Sequence, residues 1–272
     1  MNGYGLGVRP ILAVLLLSSA APAFAETDAP EQASAVEAQG VPIEVPDPTP
    51  TGLLIAWKPA LLSVRVDSGS GSSKFGSDSL QPLRGLARYT MRLGEDKPYF
   101  GRFELEGGRF ETEDQGLGST GLDWTARILV GAATRITSGV ILIASAGLLT
   151  RYEVGRSRTG APTIGMFGLD SNIELEMRLF PSITLSGYLE GAITPYPYLA
   201  QNNLGDLSDA DEVRVRVQVS IDVSRSTTME FGYDLTRWHA TFTNSTILGT
   251  VDRALLVETR EHAATFGLRY KM

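Results

Sequence analysis

The chain has 272 residues, a net charge of −7 and no cysteine. Disulfides and thiolate metal sites are therefore excluded, and a pI near 5.0 argues against nucleic-acid binding as the main task. A mean hydropathy of −0.01 would suit a soluble protein, but alternating strands cancel in any hydropathy sum.

The N-terminus carries Arg9, the apolar run Ile11–Leu17, then Ser18, Ser19 and Ala23-Phe24-Ala25. A basic residue, a short apolar core and a small-residue site predict a secretory signal peptide over 1–25, cleaved after Ala25. The run is shorter than the ~20 residues a helix needs to cross a bilayer. Glu26, not Cys, follows the cleavage site, which argues against a lipid-anchored N-terminus. Residues 26–58 are rich in Pro, Ala and acidic side chains and read as a disordered periplasmic linker. Within it, residues 26–52 are either a tether or an arm for a periplasmic protein partner.

From residue 59 onward the chain reads as strands, predicted at about 60–67, 82–93, 99–110, 121–133, 139–152, 163–179, 182–194, 212–224, 228–241 and 255–272. Most have 12 residues or more, against the five or six usual in globular sheets. Connections alternate between short ones (94–98, 134–138, 180–181, 225–227) and long polar ones (67–81, 111–120, 153–162, 195–211, 242–254). A soluble sandwich has no reason to alternate in this way, whereas an up-and-down membrane barrel has short periplasmic turns and longer outer loops. The fold class is therefore all-β, a transmembrane up-and-down antiparallel β-barrel of about ten strands, with eight or twelve as alternatives.

The stretch EVRVRVQVSIDVS (212–224) shows the pattern most plainly. Val213, Val215, Val217, Val219 and Ile221 fall on one face, and Arg214, Arg216 and Asp222 on the other. No spare apolar element exists to cover the valine row, so it is expected to face lipid. Val64, Val66, Phe266, Leu268 and Tyr270 are assigned to the same outer wall. Almost no charge falls on that wall, where Arg or Lys at mid-depth would cost ~2–4 kcal/mol. Aromatic residues mark both strand ends: Tyr99, Phe100, Phe180 and Tyr270 at the short turns; Trp124, Tyr152, Phe167, Tyr196, Tyr198 and Trp238 at the long loops. That is the pattern of two interfacial girdles.

With this layout and its last strand, ATFGLRYKM, the chain resembles the small Gram-negative outer-membrane β-barrel proteins over residues 59–272. The resemblance implies a terminal strand read by the barrel-insertion machinery. Phe266, Leu268 and Tyr270 fit that motif, while Met272 stands where Phe or Trp is usual.

The inner wall is predicted to carry Arg65, Arg84, Arg88, Arg92, Arg102, Glu104, Asp67, Arg127, Glu174, Glu176, Arg178, Arg214, Arg216, Asp222 and Arg269. Acids and bases are nearly equal in number, and barrels of about eight strands are filled by side chains. Two readings follow: an ion-pair network that fills the lumen, or a charged conduit for small solutes. Chemistry finds little support. The histidines, His239 and His262, lack the Asp-x-His or His-x-Ser spacing that resemblance to outer-membrane proteases or lipid-modifying enzymes would require. GLGSTG (116–121) precedes a strand rather than a helix and reads as an outer loop. Asp206, Asp209, Asp211 and Glu212 have oxygen ligands suited to Ca²⁺, but read as a solvated acidic loop. No catalytic residue, metal or cofactor is assigned. The expected partners are outer-membrane lipid, the insertion machinery and a periplasmic protein. The function expected is a structural or anchoring subunit of an envelope-spanning motility or secretion assembly, or a porin-like channel.

Overall fold

The computed structural model describes residues 51–68, 73–94, 97–114, 117–155, 164–200, 205–244 and 254–272. The signal peptide, its cleavage site and residues 26–50 lie outside them. Every regular element among the described residues is a strand: β1 (Gly52–Trp57), β2 (Ala60–Ser68), β3 (Ser73–Gln81), β4 (Arg84–Arg92), β5 (Tyr99–Asp114), β6 (Leu117–Thr137), β7 (Val140–Gly155), β8 (Ile164–Phe180), β9 (Ile183–Ala200), β10 (Asp206–Asp222), β11 (Thr227–Thr243) and β12 (Leu255–Tyr270). All neighbours pair antiparallel, and β12 closes on both β1 and β2. β1 and β2 are two halves of one stave, and β3 and β4 of another, so the closed barrel has ten staves.

Both interruptions have a proline. Pro59 and Pro82 have no N–H to give the ladder, and the breaks lie side by side. They are bridged by Lys58 N–H to Arg84 O (2.9 Å), Ala264 N–H to Pro59 O (3.0 Å) and the Trp57 indole N–H to Pro82 O (2.6 Å). At Pro82-Leu83 both side chains point out, so the alternation changes phase: Ser79 and Gln81 face in above the break, Arg84 and Arg88 below it. At the start of β1, Gly52 has φ +133°, and a Cβ there would sit 2.1 Å from Tyr270 O. Only glycine lets the first stave meet the last one at this point.

The barrel thus begins at Gly52, not residue 59; the end of the expected linker is its first strand. Long strands also absorb most of the expected outer loops. Ser73–Gln81 is strand, β5 continues to Asp114, β6 already starts at Leu117 inside GLGSTG, β9 reaches Ala200 and β10 starts at Asp206. The polar composition that suggested loops belongs to strands standing above the apolar belt.

Val213, Val215 and Val217 are exposed on the outside of β10 and Val223 just past its end, with Phe231, Tyr233 and Leu235 beside them and Phe266, Leu268 and Tyr270 on β12. Val219 and Ile221 lie in the same outward row, partly covered by neighbours. From Val213 to Ile221 the strand runs ~27 Å, or ~21 Å of depth at a tilt of ~40°, most of the ~25 Å apolar band of such barrels.

Above that band the polarity reverses. Register places Asp211, His239, Glu258 and Arg65 in one outward row across β10, β11, β12 and β2, with Arg237 and Arg260 paired just below. The inner face at this height is apolar: Val66, Ile164, Met166, Ala210, Trp238, Ala240, Phe242, Leu255 and Val257 pack into one buried cluster. Six assignments are corrected along the two walls. Val64 and Val66 point inward at 1% and 4% exposure, and Arg65 and Asp67 point out. Trp238 (2%) is a core residue and no girdle residue, because its strand has already left the belt. Phe100, expected in the periplasmic girdle, packs inside with Ala133 and Ile143. Tyr99, Phe180, Tyr196 and Phe167 do stand outside.

Candidate functional site: the lumen network

The middle of the lumen is filled by charge. Among the described residues, eight cationic and ten carboxylate side chains are buried there: Lys58, Arg84, Arg88, Arg102, Arg127, Arg151, Arg214 and Arg216 against Glu104, Glu106, Asp123, Asp170, Glu174, Glu190, Glu212, Glu230, Asp234 and Glu261. The near-balance lets the interior neutralise itself; an unpaired charge at this depth would be costly.

Arg127 is the hub. Its guanidinium meets Glu212 at 2.7 Å, Glu190 at 2.8 Å, Asp170 at 3.2 Å and Glu104 at 3.4 Å. These partners come from β10, β9, β8 and β5, so one side chain from β6 reaches across the cylinder. Arg214 adds a second crossing, to Glu106 at 2.9 Å and Glu104 at 3.2 Å. Arg151 contacts the other oxygen of Glu212 at 2.8 Å and lies 5.1 Å from the centre of the Trp238 ring, joining the network to the apolar cluster above it. Arg84 binds Glu106 at 2.7 Å, Glu261 at 3.2 Å and Asp123. Arg216 binds Asp234, and Arg88 binds Glu104 at 2.8 Å.

The alternation brings together most of the residues that the sequence singled out. Arg84, Arg88, Arg102, Glu104, Arg127, Glu174, Arg214 and Arg216 are all buried in the lumen. Glu176, Arg92 and Arg269 are half-buried on the same face nearer the short turns, where Arg269 pairs with Glu230. Two others do not join. Arg178 is exposed and donates to Pro181 O at the turn, and Asp222 pairs with Lys271 at 2.7 Å on the rim. Their strands end there, so neither has a lumen to point into.

Sequence alone missed Lys58, Glu261, Arg151 and Glu212. Lys58 was assigned to the linker, yet it is fully buried between Glu106 (2.6 Å), Asp234 (3.3 Å) and Glu261 (3.5 Å). The run GLLIAW before it is apolar throughout and shows no alternation, and Pro59 separates it from the next strand. Glu212 was grouped with the acidic loop, but it opens the inward series of β10. Its former companion Asp211 faces out instead and bonds His239 directly across the β10–β11 ladder. Cross-strand pairing joins Asp and His here, which no spacing along one strand could reveal. His262 bonds the Tyr233 hydroxyl at 2.6 Å on the same outer wall. No cluster of His and acidic residues suited to a metal occurs among the described residues.

No family model matches the chain, and no curated protein matches it. Among solved structures it is similar to the outer-membrane protease OmpT from Escherichia coli, at 10% identity over 81% of this chain and 95% of that one, with a TM-score of 0.47. The translocator domain of the autotransporter NalP from Neisseria meningitidis matches at 10% identity, 83% and 90% coverage, and a TM-score of 0.45. The outer membrane protein OprG from Pseudomonas aeruginosa matches at 8% identity, 82% and 96% coverage, and a TM-score of 0.34. The closed ladder, the apolar belt outside and the charged interior make this protein a small transmembrane β-barrel of the outer-membrane type.

Proposed function

We propose that the barrel is a closed outer-membrane anchor, a structural subunit of an envelope-spanning assembly of the motility or secretion type. The observation that carries this reading is the filled lumen. Arg127 alone ties β6 to four other staves, and the apolar cluster seals the outer end above it. A lumen so occupied offers solutes no path, and its cross-links stiffen a wall that has to bear load. In this reading the signal peptide is removed after Ala25, and residues 26–52 reach a periplasmic protein partner.

A small-solute channel is the second reading. Buried polar atoms without protein partners, such as Arg216 Nη2 and the Asn172 amide nitrogen, favour some water inside. Planar-bilayer recording of the purified protein separates the two. The anchor reading expects no steady conductance, and stable openings would replace it with the channel. Deleting residues 26–50, which spares Gly52 at the start of β1, should then remove co-purifying envelope proteins; an unchanged set would reduce the arm to a tether.

A further inference from the structure

The short-turn end of the lumen contains a cavity of ≈ 10 Å³, lined by Thr51, Gly52, Leu54, Arg88, Thr90, Arg102 and Arg269. That is room for one particle about the size of a water molecule. Among the described residues its lining is one-sided: three arginines, two threonines and no carboxylate. Arg88 and Arg102 are each 4% exposed, and each keeps an N–H without a protein partner. Arg88 uses its Nε–H on Glu104 (2.8 Å) and leaves Nη2 unmatched. Arg102 reaches Glu174 through Nη2 at 3.5 Å and leaves Nε unmatched. Buried donors of this kind are rarely left unpaired, and a water can accept only two of the bonds on offer.

We infer that this cavity is a halide site, and that chloride completes the ion network where the lumen meets the periplasm. A monatomic anion needs the least room of any anion, little more than a water, and accepts at once from the donors that Arg88 and Arg102 leave unmatched. A cation finds no oxygen anion among the described lining residues, and a polyatomic anion exceeds the space. The site leaves open whether the barrel conducts, since a bound halide would narrow the mouth of a closed or an open lumen alike.

The test is thermal unfolding of the full chain in detergent as chloride replaces gluconate at constant sodium concentration. Gluconate keeps the ionic strength and is too large for the cavity. A saturable rise in the melting midpoint is expected, because a ligand that binds only the folded state stabilises it. Arg102→Gln should abolish the rise. Thr90→Val keeps every charge and the side-chain shape, so it stays informative if Arg102→Gln fails to fold. It should weaken half-saturation about tenfold, the effect of losing one hydrogen bond to a charged group. Bromide-soaked crystals should show an anomalous peak between Arg88 and Arg102. Identical melting in both salts, a rise undiminished in Thr90→Val, or a mouth holding only water would overturn the inference.

Discussion

The membrane belt of the barrel and its outer rim solve the same problem with opposite faces. In the belt, β11 turns Phe231, Tyr233 and Leu235 outward and Glu230 and Asp234 inward; a few residues on, the same strand turns Arg237 and His239 outward and Trp238, Ala240 and Phe242 inward. β12 repeats the exchange, from Phe266 and Leu268 outside to Glu258 and Arg260 outside with Leu255 and Val257 within. The phase of the strands does not change there; the solvent does. Lipid outside lets charge collect inside, and water outside demands an ordinary hydrophobic core. The rim is in effect a water-soluble barrel built on top of a membrane one, with Arg151 over Trp238 at the join.

The comparison breaks first at the hub. Arg127→Leu should cost about 5 kcal/mol, because four carboxylates lose a partner in a site closed to water. Denaturant unfolding of the folded barrel in vesicles measures this, and adding Glu190→Gln should recover part of the loss. In the rim, Trp238→Ala should cost about 3–5 kcal/mol in the same assay, the usual penalty for emptying a buried aromatic site. A girdle tryptophan would lose far less, so a small effect would return Trp238 to the outside. The sharpest contrast is on the outer wall. Val217→Arg should cost about 2–4 kcal/mol by placing charge in lipid. Arg237→Ala, on the neighbouring strand but above the belt, should cost only about 0.2–1 kcal/mol, since its bond to Glu258 is largely exposed.

Much of this was legible in the sequence. Strict alternation over 212–224 fixes both faces of β10, because a period of two leaves no freedom once one face must meet lipid. The even alternation of turn lengths gave the ten staves. What escaped was of two kinds. Val64, Val66 and Trp238 were placed outside because apolar residues were assumed to face lipid along the whole strand; the inversion depends on height, which a single strand does not announce. Lys58, Glu212 and the Asp211–His239 pair were missed because their partners lie on other strands. Register brings them together, and register is set by the closed sheet. The prolines at 59 and 82 hid the full length of the first two staves, by cutting each so that one piece of the first looked like a linker and one piece of the second like a loop.

The belt-to-rim exchange can be read directly along β12. The native chain has no cysteine, so single cysteines at 258, 260, 264, 266, 268 and 270 can carry spin labels one at a time in reconstituted vesicles. Oxygen, which concentrates in lipid, should quench labels at 264–268, and a water-soluble paramagnetic reagent should take over at 260 and 258. A profile that is lipid-like through 258, or water-like at 266 and 268, would contradict a wall whose polarity inverts at the membrane surface.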